Sequence, residues 1–148
     1  MLTLRPHHLL DIVTHHGGGT PFRPHDYGHA VHTVAATVLA DLDVRIRFLV
    51  GADDICAPCR HLHDGKCADV LSQLAPPVSK QDYNDGLDRQ LFAYFGMTDG
   101  QVMTFREYLG IVRAHIDGIE HVCTHPKEDP TKRRANLIRG LEKLRGVS

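Results

Sequence analysis

Three of the four cysteines in this chain fall in one short stretch, as Cys56-x2-Cys59-x7-Cys67, and the fourth, Cys123, stands far downstream. That spacing constrains the fold more than any other feature. Four thiols suffice to close a tetrahedral metal site or to hold a four-cysteine iron–sulfur cluster. If they meet, the fold must carry residue 123 back to the loop at 56–67. Pro58 stiffens the loop between the first two thiols by fixing φ, and Asp64-Gly65 supplies a turn that returns Cys67 toward them.

The length of 148 residues is that of one domain over 1–148 with a sizeable core. The net charge of −1 gives no global field to attract nucleic acid or a membrane surface, so neither is expected as a partner. No apolar run is long enough to span a bilayer, and Met1-Leu2-Thr3 leads straight into polar residues with no secretory pattern. We therefore expect a cytoplasmic protein, where cysteines serve as ligands or catalysts more often than as disulfides. Twelve histidines against four tyrosines and no tryptophan point to metal or proton chemistry.

The hydrophobic pattern predicts an α+β fold, mainly helical, with five or six helices and a small sheet. Strands are expected near 2–4 and over Val44–Val50, where Val44, Ile46, Phe48 and Val50 alternate with other residues. Helices are expected from Arg5 to the Gly17-Gly18-Gly19 stop and from Asp26 to Leu42. Others follow from Cys67 to Ala75 before Pro76-Pro77, and from a Ser79 cap to Phe95. A further helix, capped by Thr98 or Thr104, should run through Ile116 to Gly118 and deliver Cys123. The last opens at Asp129-Pro130 and is basic on its outer face through Lys132, Arg133, Arg134, Arg139 and Lys143. If the two strands pair in parallel, both end on the same side, and His7 and His8 lie beside the cysteine loop.

Leu4-Arg5-Pro6-His7-His8-Leu9-Leu10, followed by Asp54-Ile55-Cys56-x-x-Cys59, resembles a family of small bacterial and archaeal proteins of unknown function described as iron–sulfur binding. The likeness covers the first two-thirds of the chain, together with Val122-Cys123. It implies a cluster on the cysteines. The family's C-terminal region carries additional cysteines, whereas here His125 and Pro126 follow Cys123, which leaves one site.

Cys56, Cys59, Cys67 and Cys123 are thus the expected ligands, the alternative being small buried apolar cysteines. Should Cys123 not bind, the fourth position falls to His61, His63, His121, His125 or an exogenous molecule. The spacing matches neither a two-knuckle zinc ribbon nor a bacterial ferredoxin run. The resemblance favours a 4Fe-4S cluster for electron transfer or redox sensing, with a redox partner protein. The alternative is a zinc-stabilised binding module without catalysis, and a cysteine-nucleophile hydrolase ranks third.

Arg5, His7 and His8 are expected to form a pocket over the centre, Arg5 holding a carboxylate or phosphate. Neighbouring helix residues point about 100° apart, so one histidine is expected to be structural while the other lines the pocket. His25, His29 and His32, at i, i+4 and i+7, would share a helix face.

Overall fold

The computed structural model describes residues 1–71, 77–123 and 128–145. Among them the architecture is α+β, with five α-helices and small sheets of two or three strands. Strand β1, Leu2–Leu4, leads into helix α1, Pro6–Gly17, whose first position is the proline. Helix α2, Val31–Ala40, follows, then strand β2, Arg45–Phe48. β1 and β2 pair in parallel with Leu2 opposite Ile46 and Leu4 opposite Phe48, so α1 and α2 form the crossover that parallel strands require. On β2, Ile46 and Phe48 are buried and Arg45 and Arg47 exposed, as the period of two dictates.

Two hairpins were not anticipated. β3, Leu62–His63, and β4, Lys66–Cys67, join through Asp64 and Gly65, both at positive φ, as a two-residue hairpin turn demands. β5, Val70–Leu71, pairs antiparallel with β6, Val78–Ser79. The stretch from Cys67 to Leu71 is therefore extended, not helical: the turn at 64–65 commits Cys67 to pairing with Leu62. The remainder of the helix expected there, with Pro76, lies outside the described residues.

Helix α3, Lys80–Phe95, starts where Ser79 Oγ accepts from the Asp82 N–H and stops at Gly96 in the left-handed region. Strand β7, Val102–Thr104, adds antiparallel to β2 and completes a three-stranded sheet in the order β1-β2-β7. Thr104 then caps helix α4, Phe105–Ala114. α4 ends before Ile116; a single 3-10 turn, Ile119–His121, entered through Gly118 at φ 86°, brings the chain to Cys123. Helix α5, Pro130–Leu144, opens at Asp129, whose Oδ1 accepts from the Thr131 and Lys132 N–H groups.

α2 is shorter than its pattern suggested. Gly28 takes positive φ, and Ala30 N–H donates to Ile55 O at 2.9 Å, so residues 26–30 turn against the cysteine loop instead of winding. His25 and His29 therefore precede the helix, although their rings still stack at 4.6 Å.

The core gathers Leu9, Leu10 and Val13 of α1, Ile46 and Phe48 of β2, and Leu91 and Phe95 of α3 around Tyr108 of α4. Phe48 stacks on the Tyr108 ring at 4.7 Å. Each such side chain contributes roughly 1.5–3 kcal/mol when removed from water. α1 and α5 cross backbone to backbone: a Cβ at Gly17 would overlap Asn136 O, and one at Gly140 would overlap Val13 O. This close crossing brings α5 side chains to the rear of the cysteine loop.

Candidate metal centre

A cavity of about 450 Å3 opens where β1 ends and the cysteine loop begins. Cys56, Cys59, Cys67 and Cys123 all line it, and so do Arg5, His7 and His8. His61 lines it too, with Nε2 buried and without a partner among the described residues. Of the other histidines expected near the thiols, His121 is on the surface with its side chain 80% exposed, His63 is exposed on β3, and His125 lies outside the described residues.

Two carboxylates build the near wall. α1 has no capping side chain of its own. Instead the Arg5 N–H donates to Asp53 Oδ2 at 2.7 Å and the His7 N–H to Asp88 Oδ1 at 3.0 Å. Asp53 Oδ1 also accepts from the Ile55 and Cys56 N–H groups, each at 3.1 Å, which sets the turn that presents Cys56. Next to it, the Asp54 N–H donates to Thr3 O and its Oδ2 accepts from the Thr3 N–H, stapling the loop to β1. The parallel pairing therefore does place both histidines at the loop.

Arg5, 1% exposed, spends its Nη1 on Asp85 and Asp88, each at 2.8 Å. These two carboxylates match its charge within the protein, and its Nε is buried without a hydrogen-bond partner among the described residues. Both histidines are held by a carboxylate at the same ring nitrogen. His7 Nδ1 lies 2.8 Å from Asp88 Oδ1 and His8 Nδ1 2.8 Å from Asp53 Oδ2, with ring centroids 4.4 Å apart. With Nδ1 so placed, Nε2 is the ring nitrogen that these carboxylates do not engage.

Burial opposes charge on Asp53, but His8 and the backbone N–H donors outweigh it and hold the carboxyl well below its usual range. Burial likewise lowers the His8 pKa, and the Asp53 charge more than reverses this, raising it. The Cys56 thiol is pushed up to about 12 by burial and by Asp53.

The rear wall belongs to Cys123, 4% exposed. Arg133 Nε donates to Cys123 O at 2.8 Å, and Nη2 lies 3.6 Å from Sγ. Arg133 pairs as well with Asp11 of α1 and with Glu128. It is buried, and so leaves the basic outer face assigned to it: its place one turn before Leu137 sets it on the inward side of α5. Burial and Asp11 push the Cys123 thiol up to about 12, with Arg133 opposing.

The third wall is the hairpin pair. Cys59 N–H closes a turn on Cys56 O, and Cys67 N–H donates to Gln81 Oε1 at 2.7 Å. Cys59 and Cys67 are both partly exposed. Three carboxylates, Asp11, Asp69 and Glu128, and three cations, Arg5, Lys80 and Arg133, line the cavity, and Asp53, Asp85 and Asp88 pair with the His8, Arg5 and His7 side chains of its lining. Among the described residues, the metal-donor atoms lying within 4.8 Å of one another are those of His8, Asp53 and Cys56.

Sequence reasoning missed Asp53, Asp88 and Arg133. Asp88 and Arg133 carried a signal, each being a charge on the apolar face of its helix, four residues before Phe92 and Leu137 respectively.

No curated protein and no solved structure matches the chain. A family model described as "Protein of unknown function (DUF1284)" matches residues 25–127, a stretch that takes in all four cysteines and leaves out the opening Leu4–Leu10. With more than half of its length matched, the chain belongs to the DUF1284 family.

Proposed function

We propose that the cavity houses a thiolate-ligated metal centre, a 4Fe-4S cluster held by Cys56, Cys59, Cys67 and Cys123, and that the protein serves in electron transfer or redox sensing. One observation carries this reading: all four cysteines line a single cavity, although Cys123 arrives from a different part of the fold. The donor set fits the group, since four thiols satisfy such a cluster. No three of these thiols fall within 4.8 Å of one another among the described residues, wider than the roughly 3.8 Å between four sulfurs around one zinc at about 2.3 Å.

When bound, the cluster supplies one-electron chemistry. The chain's own part is to present the thiols and shape their surroundings. Asp53 fixes the Cys56 turn, Arg133 places a charged donor against the Cys123 sulfur, and the half-buried hairpin wall is where a redox partner protein would approach.

Anaerobic purification with iron, sulfide and zinc analysis tests the reading. The expected result is a brown protein with about four iron and four sulfide per chain, lost in Cys123→Ser. A colourless wild type with one equivalent of zinc would overturn it in favour of a zinc-stabilised module.

A further inference from the structure

The cavity has one place where three unlike donors already converge. A nitrogen of His8, a carboxylate oxygen of Asp53 and the sulfur of Cys56 lie within 4.8 Å of one another on the near wall. We infer that these three residues form a mononuclear site for a divalent first-row transition metal, occupied when no cluster is present. This goes beyond the cluster reading: the two share Cys56 and otherwise rest on different residues.

Donors bound to one such ion at about 2.0–2.3 Å stand roughly 3–4 Å apart. His8 Nδ1 and Asp53 Oδ2, 2.8 Å apart across a hydrogen bond, would part slightly as the ion takes the place of the proton between them. The mixture of imidazole, carboxylate and thiolate selects zinc, iron or cobalt over magnesium or calcium, which take oxygen alone.

The backbone around the site holds the ligands ready. Asp53 is 5% exposed, and three backbone N–H groups, from Arg5, Ile55 and Cys56, fix its orientation. Outer hydrogen bonds of this kind are what aim a ligating carboxylate.

Three protein ligands leave the fourth position of a tetrahedral ion open, and His8 and Cys56 both line the cavity, so that position faces the chamber. Closed structural sites use four protein ligands; sites that bind a small molecule keep one free. The ligand class implied is a small oxygen donor, water or a carbonyl or carboxylate compound, bound to the ion as a Lewis acid.

Cobalt(II) titration of the whole metal-free chain under anaerobic conditions tests this. Wild type should bind one equivalent, with a single thiolate-to-cobalt charge-transfer band. His8→Ala, Asp53→Asn and Cys56→Ser should each weaken binding by about 100-fold or more. Cys59→Ser, Cys67→Ser and Cys123→Ser should bind as wild type does. Unweakened binding in His8→Ala or Cys56→Ser overturns the assignment, as does equal loss in Cys67→Ser and Cys123→Ser. If Asp53→Asn fails to fold, His8→Ala and Cys56→Ser decide, because neither removes a carboxylate that caps α1. Iron and sulfide content reads the cluster separately, so either reading can fail alone.

Discussion

The near wall and the hairpin wall of the same cavity are built on opposite principles. The near wall, from Leu4 through His8 and Asp53 to Cys56, is cross-linked by charge and mostly buried, with His8 and Cys56 partly exposed. Asp88, wholly buried, takes Arg5 Nη1, the His7 backbone and the His7 ring, while Asp53 takes two backbone turns and the His8 ring. The hairpin wall has two-residue strands, partly exposed cysteines and, among the described residues, side-chain bonds that are only part-buried or exposed, from Cys67 N–H to Gln81, Lys80 Nζ to Asp69 and Val70 N–H to Asp69. Low burial and few shared bonds make local opening cheap. A centre with one fixed and one yielding wall can admit a bulky occupant through the hairpin side without disturbing the core.

The sharpest way to break this contrast is to cut one tie on each wall. Asp88→Asn removes a buried charge that two buried cations or rings face, which costs about 3–5 kcal/mol. That is a large share of a typical domain's 5–15 kcal/mol. Gln81→Ala removes the part-buried bond from Cys67 N–H and the bond that Gln81 Nε2 donates to Asp85, and should cost about 1–2 kcal/mol. Urea denaturation of the metal-free chains measures both; equal losses would show that the walls do not differ as described.

Thiol chemistry sharpens the contrast within the cysteines. Cys56 and Cys123, pushed up from 9.0 to about 12 chiefly by burial, carry roughly a thousandth of the thiolate of an ordinary thiol at neutral pH. In metal-free folded protein they should be alkylated by iodoacetamide about 1,000-fold more slowly than the same residues in urea, as mass spectrometry of the labelled chain would show. Rapid labelling of Cys123 would mean that the Arg133 wall opens.

The two walls also differ in how far the sequence disclosed them. The near wall was legible because strong local signals built it. Alternation marked β2, Pro6 marked the start of α1, and parallel pairing then forced His7 and His8 to the cysteine loop. The Ser79 and Asp129 caps likewise fixed α3 and α5. The hairpin wall misled: Cys67–Ala75 has helix-compatible composition, but the Asp64-Gly65 turn pairs Cys67 with Leu62, and pairing outweighs propensity. β7 was missed because three residues are too few to show a period. The carboxylates escaped for another reason. Asp53 reads as a loop residue until its remote partners, Arg5 and His8, are known. The metal's identity is not written in the spacing, since four thiolates serve iron–sulfur and zinc alike.

The smallest effect expected lies in the pH profile of the near wall, with a chelator present to keep the chain metal-free. Burial lowers the His8 pKa and Asp53 more than restores it, so the folded value lies above the ordinary 6.5. The stability it contributes is fully present below about 6.5 and is lost as pH rises through the folded value. Asp53 has the opposite sense: its folded value is depressed, so its contribution is present above about 4 and is lost as pH falls toward that value. The pair is therefore strongest between about pH 4 and 6.5. In His8→Gln the alkaline loss should vanish, and acid unfolding should begin at higher pH, because Asp53 loses the charge that depresses it. Melting temperatures recorded from pH 4 to 9 should separate wild type from His8→Gln near pH 6 and draw together toward the alkaline end. Parallel curves across that range would mean that the His8–Asp53 contact carries no net charge interaction, and that the near wall owes its rigidity to Asp88 and the backbone turns alone.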